Sequence, residues 1–210
     1  LALEKNVLGF YLSGHPLESW RVDIESIATV NLGEFDESLD GTTVRAVGIV
    51  SAFRPKIDKK GKTMAFLTLE DFTGRAECLV FEAAYRKFGS VISPEAALVV
   101  IGKVRGSGDS FSLIADEIYT LEQAIPRLTK SIVITLSANT TTQKQVEDGI
   151  RLLDEFCRTG ECPCFIRVSD GNGRSWNLFA KDHRLRPSLD LLNRMREIFG
   201  RTAVRIVLDQ

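Results

Sequence analysis

At the start of the chain the apolar positions follow a helical period. Within residues 1–12 the apolar side chains fall on two adjacent stripes, which is typical of a helix with a broad buried face. Gly14 suits a left-handed cap position and Pro16 cannot continue a helix, so the helix is expected to end there. The pattern predicts a second short helix over residues 17–27 and an acidic connector over residues 33–41.

From Thr43 onward the pattern changes to the two-residue period of β-strands. Phe66 alternates with apolar neighbours and is expected to face away from Leu67 and Leu69. Gly48 predicts a bend in the first strand. The predicted strands cover residues 42–55, 63–72, 75–81, 96–106 and 110–121, and a helix covers residues 82–92. Three strands, a helix and two further strands follow the order of the OB-fold. The sequence therefore predicts an all-β OB-fold barrel preceded by helices.

Beyond Pro126 strand and helix periods alternate in the order β-α-β-β-α-β, which resembles the split βαβ sandwich and predicts a small α+β domain. The predicted elements cover residues 131–136, 141–158, 164–170, 175–180, 188–200 and 203–208. The apolar residues predicted to share one side of the first helix are Val146, Ile150, Leu153 and Phe156. The predicted boundaries are a helical lead-in and connector over 1–42, the barrel over 43–125 and the α+β domain over 126–210.

The charge balance gives no overall attraction to nucleic acid, since 27 basic and 28 acidic residues leave a net charge of −1. Positive charge is concentrated locally, around the loop predicted between the first two barrel strands. Asp58 is the single acid in this stretch, and its basic residues are Arg54, Lys56, Lys59, Lys60 and Lys62. This segregation makes the loop the first candidate for a binding site.

In an OB-fold this loop and the loop between strands four and five flank a groove whose floor is formed by strands two and three. The basic side chains would neutralise phosphates, and Phe66 would stack on a base for about 1–3 kcal/mol. Arg45 and Arg75 are candidates to extend the positive floor, and Arg105 is the candidate on the far lip. The alternative is that the lysines solvate a hairpin, that Phe66 completes the barrel and that the arginines are ordinary exposed strand residues.

The cysteines do not form a common metal motif. Cys157, Cys162 and Cys164 have the spacing C-x4-C-x-C, Cys78 lies alone in an apolar run, and neither histidine is near the cluster in sequence. We therefore predict buried or free thiols, no metal and no cofactor in this segment. The sequence also lacks a membrane-length apolar stretch and a signal sequence, which predicts a cytoplasmic protein.

A second basic region occurs near the C-terminus of the chain. This region has three interpretations: a contact for nucleic acid, a contact for an acidic protein surface, or a solvated face. The sequence does not favour either of the first two over the other. The members of the region are Arg174, Lys181, Arg184, Arg186, Arg194, Arg196, Arg201 and Arg205.

Two stretches carry a family resemblance: "EKNVLGFYLSGHPL" and "VRAVGIVSAFRPKIDKKGKTMAFLTLEDFTGRAECLVF". In this order they resemble the C-terminal part of the α subunits of bacterial DNA polymerase III, the C-family replicative polymerases. The resemblance covers residues 1–122, whereas residues 128–210 match by position only. A start at Leu1, inside a predicted helix, also favours a segment of a longer protein.

The resemblance implies an OB-fold over residues 43–122 that binds single-stranded template DNA, and a last domain that meets the clamp-loader τ subunit. The sliding clamp would be a partner within the parent complex. The catalytic aspartates of the family, a DNA-directed DNA polymerase and nucleotidyltransferase, belong upstream, so this segment alone is expected to have no polymerase activity. The "FLTLED" strand also resembles anticodon-binding barrels, in which the aromatic equivalent to Phe66 stacks on a base.

Two alternatives stay open from the sequence. One is a protein-interaction module that contacts neighbouring polymerase domains or clamp machinery. The other is an RNA-binding OB module of a translation enzyme.

Overall fold

The computed structural model describes residues 15–57, 61–108, 110–157 and 160–208. The chain divides into two compact units, one ending at Leu121 and the other beginning at Glu122. The helix predicted over residues 1–12 lies outside the described residues. Within the described ranges, no helix combines the length and the apolar character needed to cross a bilayer.

The first unit is built on a closed barrel in which the strands follow the order β1-β2-β3-β5-β4. A short helix, α1 (Arg21–Ile27), precedes the barrel, and helix α2 (Glu82–Phe88) lies between β3 and β4. The strands are β1 (Thr43–Ile57), β2 (Thr63–Glu70), β3 (Arg75–Val80), β4 (Ala97–Ser107) and β5 (Ser110–Thr120). The only parallel pairing among these described strands, β3 with β5, closes the barrel. The predicted OB-fold is confirmed.

Strand β2 shows why the alternating pattern produces a barrel wall. Ala65, Leu67 and Leu69 are at most 2% exposed and belong to the barrel core. Met64 and Phe66 alternate with them and are half-buried on the outer side. The predicted assignment of the two faces of this strand is therefore confirmed.

The break in β1 lies slightly later than the predicted bend at Gly48. The pairing of β1 with β2 shifts between Val50 and Ala52, so that Ser51 is an extra residue in β1. Gly48 is required for a different reason, because a Cβ there would lie 3.1 Å from the Glu70 carbonyl oxygen and 2.9 Å from the Leu32 side chain. The glycine allows close packing, and the bulge bends the strand.

Asp71 in the β2–β3 turn connects the barrel to the segment that precedes β1. Its side chain is 9% exposed. One carboxylate oxygen of Asp71 accepts a hydrogen bond from the Leu32 backbone N–H at 2.7 Å. The other accepts from the backbone N–H groups of Thr73 and Gly74, at 2.7 and 3.0 Å, and from the Thr73 hydroxyl. Asp71, the second acid of the "LEDFTG" stretch, is therefore a structural hydrogen-bond acceptor.

The same turn packs against the described residues that precede the barrel. The ring of Phe72 lies 4.6 Å from the ring of His15 and 4.1 Å from the guanidinium carbon of Arg21. His15 Nδ1 accepts a hydrogen bond from the Leu17 backbone N–H at 3.1 Å. His15 is thus a packing and capping residue.

The second unit contains a sheet in the order β8-β7-β6-β9, with helices α4 and α5 between strands. Helix α3 (Leu121–Leu128), which the sequence pattern did not predict, follows β5 and leads into the sheet. The remaining elements are β6 (Thr129–Ser137), α4 (Gln143–Phe156), β7 (Cys162–Ser169), β8 (Ser175–Leu185), α5 (Leu189–Phe199) and β9 (Val204–Leu208). The β-α-β-β-α-β order from β6 to β9 is as predicted.

The strand order differs from the split βαβ arrangement that this element order resembles. Strands β6 and β7 are direct parallel neighbours, so no strand is inserted between the two strands that α4 connects. Strand β9 instead pairs antiparallel with the other edge of β6. Element order alone does not determine which strands become neighbours.

The buried side of α4 also differs from the prediction. Gly149, Leu152 and Leu153 are buried, whereas Val146 and Ile150 are 37% and 49% exposed. The glycine decides the orientation, because a Cβ at position 149 would lie 2.3 Å from the Phe199 ring of α5. The close approach of α5 at Gly149 therefore rotates Val146 and Ile150 toward solvent.

We expect Asp71→Ala to lower the free energy of unfolding of the first unit by about 3 kcal/mol, because it leaves buried backbone N–H groups without an acceptor. Urea denaturation in a Trp176→Phe background measures this, since Trp20 then reports on the first unit alone. Asp116→Ala, at an exposed position of β5, is the matched control. Equal stability of the two variants would contradict the structural role of Asp71.

Candidate nucleic-acid interface

A row of outward-facing residues crosses the barrel at the level of Phe66. Phe66 pairs with Arg54 on β1 and with Leu79 on β3. Leu79 pairs with Ile114 on β5, which pairs in turn with Lys103 on β4. Because paired residues share a face of a sheet, these five side chains form one transverse row with a basic residue at each end.

The ring of Phe66 is half-buried on the outer side of the barrel and is not part of its interior. Lys56, one position further along the same face of β1, places its Nζ 5.8 Å from the centroid of this ring. That distance is within the range of a cation–π contact. Arg54 and Lys56 are both exposed, so the described structure brings an aromatic ring and two cations together.

Lys62 lies at the start of β2 and is directed toward α2. Its Nζ lies 3.2 Å from Oε2 of Glu82, which also pairs with Arg86 at 3.5 Å. Lys62, Tyr85 and Arg86 contribute to the lining of a cleft of about 480 Å³. The other two lysines predicted for this loop, Lys59 and Lys60, lie outside the described residues.

The three predicted arginines elsewhere on the barrel have contacts within the protein. Arg45 donates a hydrogen bond from Nε to the Ile27 carbonyl oxygen at 3.0 Å, which directs it to the end of α1. Arg75 bonds to Glu70 at 2.8 Å. Arg105 lies 3.7 Å from a carboxylate oxygen of Asp40. These contacts make the three arginines weaker candidates than Arg54 and Lys56 for binding phosphate.

Negative charge on the same face increases away from Lys56. The row next to Phe66 contains Glu77, which pairs with Thr68, and the row after it contains Glu70 with Arg75. The cationic end of the face therefore coincides with the β1–β2 loop. An anionic ligand that contacts Phe66 is expected to extend toward that loop.

The local sequence pattern does not reveal that Lys103, Leu79 and Ile114 belong to the transverse row. Each lies on a strand that was predicted, but their proximity to Phe66 depends on the pairing register of β3, β5 and β4. The parallel pairing that closes the barrel has no short-range sequence signal. Alternation within β5 does indicate the outward direction of Ile114.

The cysteines are free thiols in different environments. Burial raises the pKa of Cys78, inside the barrel, and of Cys164, in the second sheet, to about 12. Burial also raises the pKa of Cys162, while Cys157 at the end of α4 is half-buried. In the ranges that the structure describes, no three His, Cys, Asp or Glu residues form a group suited to a metal ion. The absence of a cofactor stays a prediction.

Comparison with known proteins agrees with this geometry. The family of OB-fold nucleic acid binding domains matches residues 44–121, the span of the barrel. The DNA polymerase III subunit alpha of Pseudomonas aeruginosa is 31% identical over 207 residues, which is 96% of this chain. That of Neisseria meningitidis serogroup B is 33% identical over 212 residues, which is 98% of this chain.

The chain is homologous to a segment of the alpha subunits of DNA polymerase III. It covers 17% of the Pseudomonas alpha subunit and 18% of the Neisseria alpha subunit. A solved domain of replication protein A from Methanococcus maripaludis matches 45% of this chain and 99% of its own, with 16% identity and a TM-score of 0.37.

We predict that in the native protein Cys157 reacts first with Ellman's reagent at pH 8, while Cys78 and Cys164 react only after unfolding. The raised pKa keeps the two buried thiols protonated, and only the thiolate is the nucleophile. Reaction time courses with and without denaturant measure the difference, and Cys157→Ser is the control that should remove the fast phase. Fast native reaction of Cys78 or Cys164 would contradict their burial.

Proposed function

We propose that the barrel binds single-stranded DNA without strong sequence preference, as a non-catalytic part of a replicative polymerase alpha subunit. The observation that supports this most directly is the position of Phe66. Its ring lies on the outer barrel face, with Arg54 paired beside it and the Lys56 ammonium 5.8 Å from its centroid.

The chemistry of this arrangement favours an unpaired strand. A duplex keeps its bases stacked inside, whereas a single strand offers a base to an aromatic ring and phosphates to nearby cations. Stacking tolerates every base, because each has a π face, and the cations contact only the backbone. Phe66 would stack on a base while Arg54 and Lys56 hold the adjoining phosphates.

Lys62 has a secondary role in this proposal, since Glu82 already neutralises part of its charge. Lys59 and Lys60 stay predicted phosphate contacts from the sequence. Arg45, Arg75 and Arg105 would act mainly on the structure of the barrel.

Homology to DNA polymerase III alpha subunits supports a place for this chain in replication. We propose that polymerase activity belongs to the parent protein and that this segment contributes template binding. We further propose that the second unit takes part in assembly with the clamp-loader τ subunit, in a complex that also contains the sliding clamp. A cytoplasmic location belongs to the same proposal.

RNA binding is a second candidate, because the family that matches the barrel is described as nucleic acid binding without a choice between DNA and RNA. Competition between a dT oligonucleotide and unmodified tRNA for the 210-residue chain separates the candidates. Stronger competition by the dT oligonucleotide supports the DNA proposal. Stronger competition by tRNA contradicts it.

We expect Arg54→Glu/Lys56→Glu to weaken binding of a fluorescent dT oligonucleotide at least tenfold at low salt. The logarithm of affinity should also depend less steeply on the logarithm of salt concentration, by about 0.7 per lost phosphate contact. Fluorescence anisotropy over a salt series measures both effects. Lys87→Glu/Lys144→Glu, with the same change in charge at exposed helical positions, is the control. An equal loss in this control would contradict a localised site.

Phe66→Ala should weaken the same oligonucleotide about fivefold or more, since loss of one stacked base costs about 1–3 kcal/mol. The salt dependence should stay unchanged, because no phosphate contact is removed. Phe66→Tyr is the matched control and should bind like the original protein. Unchanged affinity of Phe66→Ala would leave the ring without a role in binding.

Glu82→Gln is expected to raise oligonucleotide affinity about twofold, because surface ion pairs of this kind are worth about 0.2–1 kcal/mol and Lys62 becomes available for phosphate. The same substitution in a Lys62→Ala background should have no effect. A gain that persists without Lys62 would assign the effect to Arg86 or to general charge, against a role for Lys62.

A further inference from the structure

The two faces of the sheet in the second unit have different surroundings. On one face the side chains of Ile132, Ile134, Cys164 and Val204 are at most 2% exposed. That is the side of the helices, since His183 on β8 bonds to Asp154 of α4 at 2.9 Å. Side chains of the opposite face alternate with the buried ones and are half-buried or exposed.

We call this opposite side the open face and define it by Phe165, Arg167, Phe179, Arg184 and Arg205. The pairing register joins Phe179 to Phe165, Phe165 to Val133, and Val133 to Arg205, which gives one row across all four described strands. Arg184 lies on the same side as Phe179, and Arg167 is two residues along β7 from Phe165.

The aromatic residues of the open face form a platform. The ring centroids of Phe165 and Phe179 are 5.3 Å apart with an angle of 31° between the ring planes. The guanidinium carbon of Arg184 lies 5.4 Å from the Phe179 ring. Phe179 is 45% exposed although it is a large apolar side chain. Phe165 is half-buried beside it. Adjacent aromatic rings with an arginine against one of them are typical of a base-stacking surface.

The open face is more positive than the helices of this unit. In the paired positions of the open face that the structure describes, the charged residues are arginines. Asp182 lies in the part of β8 where the register shifts, between Phe179 and Arg184. Helices α4 and α5 carry both signs of charge. Their acids are Glu147, Asp148, Asp154, Glu155, Asp190 and Glu197, and their basic residues are Lys144, Arg151, Arg194 and Arg196.

The members of the basic region predicted near the C-terminus have different environments in the structure. Arg194 is bound bidentately by Glu155 at 2.6 and 2.7 Å, and Arg196 is buried. Arg184 and Arg205 are exposed on the open face. Arg167, which was outside the predicted region, lies with them and donates a hydrogen bond to Asn177 at 3.0 Å. The cations therefore lie on both sides of the aromatic pair.

We propose that the open face is a second nucleic-acid-binding surface, which takes an unpaired strand by stacking bases on Phe165 and Phe179. Arg167, Arg184 and Arg205 contact the phosphates on either side, since a guanidinium matches phosphate geometry. The occupant must be anionic, because the charged residues in the paired positions of this face are arginines, and a nucleic acid strand supplies a phosphate at every nucleotide. This site is independent of the barrel proposal.

The test uses the 210-residue chain with its barrel site removed by Arg54→Glu, Lys56→Glu and Phe66→Ala. Anisotropy with a fluorescent dT12 oligonucleotide at low salt should still detect binding. Adding Arg167→Glu/Arg205→Glu should weaken it at least tenfold, and adding Phe179→Ala should weaken it about fivefold or more. Lys144→Glu/Arg151→Glu on α4, with the same charge change, should alter affinity less than twofold.

Circular dichroism and an unchanged thermal midpoint establish that each variant is folded, and Phe179→Tyr should restore binding if Phe179→Ala loses it. Loss of residual dT12 binding in the barrel triple variant itself would overturn the proposal. An equal effect of the α4 control and the open-face variant would overturn it in favour of general charge attraction. Unchanged dT12 affinity together with weaker binding to the purified clamp-loader τ subunit would overturn it in favour of protein docking.

Discussion

The register shift between Val50 and Ala52 sets the direction of every later side chain in β1. Before the shift, Val44, Ala46 and Val50 face the barrel core at even positions. The extra residue changes the parity, so that Phe53 packs against the core and Arg54 faces outward. An uninterrupted strand would direct Arg54 and Lys56 into the apolar interior, at a cost of several kcal/mol for each unpaired charge.

The candidate site therefore depends on core packing rather than on the loop that carries most of the charge. Phe66 is held on the outer face because Ala65 and Leu67 fill the interior on either side of it. Asp71 fixes the end of β2 by accepting hydrogen bonds from the lead-in and from the β2–β3 turn. A slip of one residue in β2 would exchange its two faces and bury Thr68 and Glu70. The interior thus positions the ring and the adjoining cations.

The sequence predicted most of the fold because its local signals agree with the global arrangement. Alternation in β2, the order of strands, the helix between β3 and β4 and the glycine turns all indicated an OB-fold before any pairing was known. It did not predict the orientation of α4, because Gly149 carries no hydrophobic signal although it admits the Phe199 ring. The strand order of the second unit was likewise not predicted, because no local sequence signal distinguishes a split βαβ pair from an adjacent one.

The candidate site was predicted only in part for a related reason. Charge and aromatic content identified Arg54, Lys56 and Phe66. Whether a basic side chain is available to a ligand depends on its partner, and the carboxylates that meet Lys62, Arg75 and Arg105 come from other elements. The contribution of Lys103 requires the strand order of the closed barrel. The local sequence pattern does not specify which strands pair, because long-range packing determines the pairing.

The central claim is that an unpaired base lies against the Phe66 ring. Photocrosslinking tests it most directly, with a dT oligonucleotide that carries one 5-iododeoxyuridine and with mass spectrometry of the digested complex. The account predicts a major adduct at Phe66, in the peptide that also carries the β2 core residues. Adducts confined to peptides outside β1, β2 and β3, with Phe66 unmodified, would contradict it.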